Sequence, residues 1–518
     1  MTNWLIFFVI IQIIHFLGTW KLYQKAGRKP WEAIVPIYNA IVLTKIIQRP
    51  WWYVLVLFIP VVNLLMFIVL WVETIRSFGR TSRQEAVLVV ITLGLYIYYL
   101  NYFLDVKYNA ERNLTPRSKL GEFISAIFFA VIIATIIHTY VMQPFTIPTS
   151  SLEKSLLVGD FLLVSKMHYG PRTPSTAVSF PMVHDSIPLI KTKSYISKFQ
   201  YPSFRLPGFE KVKNNDIVCF NWPADTVYQF FDKSGRHIDK PFDKRSNYVK
   251  RCIATPGDTL KIYDGVVYIN GKKLKLHDRQ KLQHYHQVVA SKDFDLTLLR
   301  DQFGFKEQEV MGQQVGEEYH LTLNMTDELA AQLKNASKIL KVERRIETQP
   351  DARIFPHDQP WTVDNIGPLW IPKAGVKVAL HAGNINLYKR IIEVYENNKL
   401  EINGNQIKVN DQVATSYTFK QDYYWMMGDN RHQSEDSRMW GFVPFNHIIG
   451  KPVLIWMSIE NMMGGGPKSI RTERLFTTVG GDGEPVSHWP YFLALVGLYF
   501  GGEYLYSRRK KKNLEKQG

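Results

Sequence analysis

Three short segments carry side chains able to do chemistry. The first is Ile147-Pro148-Thr149-Ser150-Ser151-Leu152, an irregular turn behind a proline rather than a helix interior. A serine hydroxyl is a poor nucleophile unless a base lies within hydrogen-bond reach. The 14 histidines do not supply a convincing one: His138 falls in an apolar segment, and His284 and His286 in a polar stretch. The second segment, Tyr248-Val249-Lys250-Arg251-Cys252-Ile253, offers a lysine instead. Its apolar neighbours would bury one face of a strand, and desolvation lowers a lysine pKa from about 10.4 by up to several units, into the range of a useful base. A lysine on the solvent face of an edge strand has the same spacing, and the segment alone leaves both readings open. The third segment runs from Met427 to Gly441 and sets Asp429, Asn430, Arg431, Ser434, Asp436 and Arg438 between two apolar runs. Such density suits either a solvated loop or a buried, mutually hydrogen-bonded one. In the buried form Asp436 and Arg438 can pair, and Ser434 can orient an amine.

These residues need a scaffold, and the pattern between residues 144 and 487 is that of a mainly β domain. Residues 161–166, 216–220, 248–253 and 266–269 are short runs rich in branched and aromatic side chains, divided by Pro256-Gly257-Asp258, Asp264-Gly265 and Asn270-Gly271. Asn270-Gly271 predicts a two-residue hairpin. Residues 327–341 predict one helix, with Thr326 as its N-cap. Residues 171–213 and 274–352 are less patterned and read as insertions.

Around this domain lie segments long and uncharged enough for a bilayer, which takes about 20 apolar residues. They are 4–20, 51–71, 86–104 and 123–143, with Pro60 and Asn63 able to kink or fold back the second. Residues 1–110 therefore read as a polytopic membrane region, 111–143 as a span leading into the β domain, and 488–518 as a C-terminal span with a basic tail. The last span is short, since only residues 489–502 are uncharged before Glu503. Arg112, Arg117 and Lys119 precede the 123–143 span and place its start inside, so residues 144–488 are expected outside the cytoplasm. Arg76, Arg80 and Arg83 also favour the inside, which two full crossings between residues 51 and 104 would not allow.

Composition excludes other classes. The 518 residues are 46% hydrophobic, too apolar for a disordered chain, and two cysteines cannot build a disulfide framework. Cys219 and Cys252 sit in apolar runs and are expected to remain thiols. The net charge of +17 is concentrated beside apolar segments, with 13 Lys+Arg against 5 Asp+Glu in residues 1–120, a positive-inside pattern rather than a nucleic-acid surface.

The three chemical segments, in this order and form, resemble bacterial signal peptidase I, a membrane-bound Ser/Lys endopeptidase. The family's serine motif, PSGSMxPTL followed by GD, is similar to residues 148–156 with Gly159-Asp160. Its lysine motif resembles Tyr248-Val249-Lys250-Arg251 with Pro256-Gly257-Asp258, and its GDNRxxSxDSRxWGxVP string matches Gly428 to Pro444 at every fixed position. The matching segments span 145–455. Departures are Ser150 for glycine, Leu152 for methionine, Lys154-Ser155 for Pro-Thr, and Ala254 for glycine.

The resemblance implies Ser151 as nucleophile and Lys250 as base, Thr149 and the Ser151 backbone at the oxyanion, and Ser434 orienting the Lys250 amine. It gives Asp429, Asn430, Arg431, Asp436 and Arg438 as the supporting loop. Phe145, Ile147, Leu152, Leu156 and Val249 become the lining of shallow pockets for small side chains. It implies secretory preproteins as substrates, lipid and the export machinery as partners, the inner membrane as location, and no metal or other cofactor. A binding protein that kept the fold without activity, or a membrane module whose main work lies in residues 1–110, are the competing classes. The intact Ser151, Lys250 and Ser434 argue against the first. The near absence of ionisable residues in the apolar segments argues against a transport path.

Overall fold

The structure is a computed structural model describing residues 2–115, 118–188, 190–228, 235–306, 309–464 and 466–515. Arg117, used above to orient the chain, lies outside the described residues, as do the side chains of Lys510, Lys511 and Lys512. The chain divides into two compact units, one of residues 1–140 and 173–204, the other of 141–172 and 205–518.

The first unit is helical, with α1 (Thr2–Lys25) and α2 (Lys119–Ile136) its longest elements. Among the described residues two helices are long and apolar enough to cross a membrane, Leu5–Lys25 and Lys119–Val141. The two segments between them do not form straight spans. Residues 51–71 break at Pro60, which has no N–H to continue a helix, and Val61 adopts a positive φ of 71° before a helix resumes at Val62–Ser77. Residues 86–104 split into Arg83–Ile91 and Tyr96–Tyr102, bent by 114°, a third span only if the pair is one. Gly94 occupies the bend because a Cβ there would lie 2.6 Å from the Trp71 indole nitrogen.

What holds these folded-back segments is a buried carboxylate. Glu73 is bonded by Arg112 at 2.5 Å, Arg49 at 3.1 Å and Arg76 at 3.3 Å. Arg49 precedes the 51–71 segment and Arg76 follows it, so that segment starts and ends at one place. Arg112 brings the chain back there again after 86–104. In place of two straight crossings, residues 51–71 fold back so that both ends meet at Glu73, and residues 86–104 form a bent pair, a broken span or a re-entrant loop.

The second unit is built on one eight-stranded antiparallel sheet. Its strands are β1 (Met142–Thr146), β2 (Asp160–Ser165), β3 (Ile217–Asn221), β4 (Asn247–Ala254), β5 (Tyr423–Met427), β6 (Val443–Pro444), β7 (Ile448–Ser458) and β8 (Thr477–Thr478). They lie in the order β1-β2-β7-β3-β4-β5-β6, with β8 beside β7. The mainly β fold expected from the sequence is present. Ile253, Trp425, Tyr423 and Phe442 belong to the largest apolar cluster, and Ile147, Leu152, Leu162 and Cys219 to a second. Cys219 and Cys252 are free and buried, and burial pushes the Cys219 thiol up to about 12, so neither is a ready thiolate.

The hairpin at Asn270-Gly271 forms as expected, with both residues at positive φ (52° and 78°). The helix over 327–341 is shorter. Thr326 caps it by accepting the Leu329 N–H, but it ends at Lys334, and Ile339–Arg344 is a strand. Lys338, at a φ of 66°, ends any helical continuation, and Ile339 and Val342 then pair with strand His284–Ser291. Within 274–352 lies a four-stranded sheet with its own core of Val288, Leu321, Leu323 and Leu333, so this insertion is a folded module. Residues 173–204, taken from the sequence as part of the catalytic domain, group with the first unit around the hairpin Thr176–Ser179 and Tyr195–Gln200. At the other end, Trp489–Glu515 is one continuous helix, α3, outside the set long and apolar enough to span.

Candidate active site

The serine turn is a loop pinched at its base. Ile147 N–H donates to the Asp160 carbonyl and Gly159 N–H to the Ile147 carbonyl, each at 2.9 Å. Thr149, extended at φ −130°, starts a single turn of 3-10 helix, Ser150–Leu152. Gly159 is required here: its φ is 92°, and a Cβ would lie 1.9 Å from the Ile459 carbonyl oxygen. Asp160 then anchors the turn, accepting from Leu157 N–H at 2.8 Å, Ser458 Oγ at 2.7 Å and the Arg474 guanidinium at 2.5 and 3.0 Å. Ser151 is buried, Ser150 half-buried and Thr149 exposed.

The 428–438 loop grips the turn from the other side. Asn430 N–H donates to the Ser151 carbonyl and Asn430 Nδ2 to the Ser150 carbonyl, both at 3.1 Å. Ser155 Oγ donates to Asp429 at 2.6 Å, so the departure from the family's threonine keeps a hydroxyl in place. Asp429 is itself held by Arg251, Nε at 2.8 Å and Nη2 at 2.6 Å. Burial resists ionisation of Asp429, but the adjoining Arg251 guanidinium keeps its pKa below the ordinary value. Within the loop, Asp436 accepts from Arg438 at 2.9 and 2.8 Å and from Gly428 N–H at 3.0 Å. Arg438 also donates to the Arg431 carbonyl at 2.6 Å. The loop is therefore buried, and the solvated alternative does not apply. The buried guanidinium of Arg431, by contrast, makes no hydrogen bond among the described residues.

Lys250 occupies the middle of β4, opposite Val218 on β3, and is 3% exposed. The solvent-face reading of this lysine is thereby replaced by the buried one. Burial lowers its pKa from 10.5 to about 8, against the opposing pull of the Asp436 and Glu435 carboxylates. On the neighbouring strand, Met427 pairs with Arg251, and Gly428 follows. Gly428 is the point of convergence. A Cβ there would stand 2.3 Å from Ser434 Oγ and 2.4 Å from the Ser151 carbonyl oxygen, so only glycine lets the two serine segments meet. Ser434 Oγ is buried without a hydrogen-bond partner among the described residues and is free to receive one. Among those residues no hydrogen bond joins the Ser151 hydroxyl to the Lys250 amine, and in an unliganded enzyme such contacts are often long.

The five apolar residues assigned to substrate pockets fall in one cluster. Leu152 and Leu156, 2% and 1% exposed, and Ile147 are interior packing, with Phe145 and Val249 partly open against them. Arg251, Ser155, Glu435 and Gly428 are contributors that reading by motif left without a role. The signal for Arg251 was its place beside Lys250, since an arginine in an apolar strand needs a partner.

Residues 120–323 and 373–457, more than half of the chain, match the family described as signal peptidase, peptidase S26. The chain belongs to that family. Its sequence is similar to signal peptidase I of Buchnera aphidicola subsp. Schizaphis graminum, 24% identical, covering 72% of this chain and 89% of that protein. It is 23% identical to signal peptidase I of Haemophilus influenzae, over 71% and 78%, and 24% identical to that of Rickettsia typhi, over 68% and 84%. As a member of the S26 family the protein is a serine peptidase with a mainly β catalytic domain. Residues 31–111, which include Glu73 and its three arginines, match a family of unknown function.

Proposed function

We propose that the protein cleaves signal peptides from secretory preproteins by a Ser151/Lys250 dyad. The observation that carries this reading is the meeting of the Ser151 turn and Ser434 on Gly428, next to the strand that buries Lys250. Neutral Lys250 takes the proton of Ser151 as Oγ bonds to the scissile carbonyl carbon, then returns it to the departing amine as the peptide bond breaks. Water activated by the same amine hydrolyses the resulting ester. Ser151 is the second residue of its helical turn, so its N–H has no partner within the turn and faces the oxyanion with the exposed Thr149 hydroxyl. Ser434 Oγ, open to a partner, orients the amine when substrate binds, and the Asp436–Arg438 pair braces the loop that carries it. Half-buried Phe145 and Val249 close the substrate pockets to all but small side chains.

The test is cleavage of a preprotein by the full chain reconstituted in liposomes, measured across pH. Only the neutral amine accepts the proton, and burial sets its pKa near 8. The rate should therefore rise with pH, reach half its plateau near that value and level off above it. A rate that falls across this range would contradict neutral Lys250 as the base, and a limb at the ordinary lysine value would contradict the lowering of its pKa by burial.

We further infer a two-span topology in the inner membrane, with α1 and α2 crossing, the Glu73 cluster on the cytoplasmic side, and residues 144–488 outside. Substrates would then meet the site where the export machinery delivers them. Three arginines on one carboxylate, in a region otherwise poor in acid groups, support that placement under the positive-inside rule. A cysteine introduced at Gln313 should react with an impermeant thiol reagent in cells with a permeabilised outer membrane. One introduced at Gln48 should react only after inner-membrane lysis, and the reverse pattern would overturn the orientation.

A further inference from the structure

Outside the peptidase site, one cavity of the second unit is lined by polar groups that the fold leaves without partners. It has a volume of about 120 Å³ and lies between the Thr259–Tyr263/Val266–Ile269 hairpin, the 274–352 module and the 428–438 loop. Its interior wall carries Arg431, His284 and Gln280, which are 3%, 2% and 4% exposed. All three guanidinium nitrogens of Arg431, both ring nitrogens of His284 and both amide atoms of Gln280 lack a hydrogen bond among the described residues. Lys273 and Arg344 stand at the mouth, with Asp327 and Glu328, both exposed, opposite them. Asp327 is already engaged by Arg344 at 2.7 and 2.5 Å, and Arg431 has the Asp429 and Asp436 carboxylates nearby but hydrogen-bonds neither among the described residues.

A guanidinium removed from water and given no hydrogen bond is costly even with carboxylates nearby, because its five donors go unsatisfied, and buried polar groups are nearly always satisfied. Several buried donors converging on one small space, with a further cation at the entrance, fit a compact anion with several acceptor oxygens. We propose that this cavity is a binding site for a small oxyanion of the phosphate class, held by Arg431 with His284 and Gln280 and reached past Lys273. The chemistry is shared by free phosphate and by the phosphodiester of a lipid headgroup. The site stands apart from the Ser151/Lys250 reading, because none of its residues other than Arg431 belongs to the peptidase loop.

The experiment is thermal unfolding of the full chain in a maltoside detergent, titrated at constant ionic strength with inorganic phosphate or with glycerophosphoglycerol, against chloride. One of the two phosphates should raise the midpoint progressively, as binding to the native state requires. A response to the inorganic ion identifies free phosphate, and a response to the diester alone identifies a headgroup. Arg431→Gln should weaken binding by about tenfold or more, the scale of a lost charge-assisted bond. Should that variant fail to fold, Gln280→Leu and Lys273→Gln provide the same reading from the wall and the mouth, each with weaker binding. Ser151→Ala should bind as the unaltered chain does, which separates this site from the peptidase assignment. No stabilisation beyond chloride, or stabilisation that survives all three site substitutions, would overturn the proposal.

Discussion

Replacing Ser151 by alanine should lower preprotein cleavage by about 10⁴- to 10⁶-fold, the range seen when a serine nucleophile that acts as a unit with its base is removed. Lys250→Met should do the same, because the unaided hydroxyl has nothing to take its proton. Folding should survive both changes. Among the described residues the Ser151 side chain makes no hydrogen bond that secures the turn; the turn is held through its carbonyls by Asn430 and through Asp160 by Arg474. Methionine replaces a buried lysine stem with an apolar one of similar volume and removes a desolvated amine. Ser150→Gly should remain active, since the Ser150 contact to Asn430 uses the carbonyl that glycine also has. Activity retained by Ser151→Ala but lost with Ser150→Ala would move the nucleophile by one residue.

The second large effect is on stability. Arg251 and Asp429 form an ion pair whose side chains are 6% and 0% exposed, with Ser155 bonded to the same carboxylate. Asp429→Ala leaves a buried guanidinium whose remaining partner is the Asn215 carbonyl. Removing one member of such a pair costs about 3–5 kcal/mol, which in a domain of this size lowers the unfolding midpoint on the order of 10 °C. Arg251→Met combined with Asp429→Leu should recover a good part of that loss, since the uncompensated charge is gone. Activity should not return, because Asp429 also positions the serine turn through Ser155. A double variant no more stable than Asp429→Ala would mean that the carboxylate acts mainly through its other bonds.

The parts of this molecule that were legible beforehand are those set by local chemistry. Short branched runs ending at Pro-Gly-Asp, Asp-Gly and Asn-Gly became the strands and hairpins that the sequence indicates, because those turn residues fix the backbone wherever they occur. The 428–438 loop was legible as a unit because its polar residues are contiguous and have one another as partners. Long-range pairings were not. Arg251 and Asp429 are 178 residues apart, and nothing in either segment names the other. The 51–71 segment is apolar enough to cross a membrane, and hydropathy does not distinguish crossing from folding back. The difference is made by Arg49, Arg76 and Arg112 meeting on Glu73, a tertiary event. The helix at Asp327–Lys334 was extended too far because residues 335–341 have no proline or glycine to stop it; the stop is a non-glycine residue at positive φ, Lys338. The cavity around Arg431 was hidden for a related reason. An arginine within a matched motif reads as part of the brace, and only its three-dimensional surroundings show that the guanidinium makes no hydrogen bond among the described residues.

The central claim is that Ser151 itself forms the bond to the scissile carbonyl, with Lys250 as the base. It is tested most directly by treating the reconstituted full chain with an acylating peptide that ends in a small side chain, then mapping the adduct by mass spectrometry. A single ester on Ser151, formed faster as pH rises through about 8 and absent from Lys250→Met, is the result this account predicts. An adduct on Ser150 or another residue, or one that forms equally well without Lys250, would contradict it.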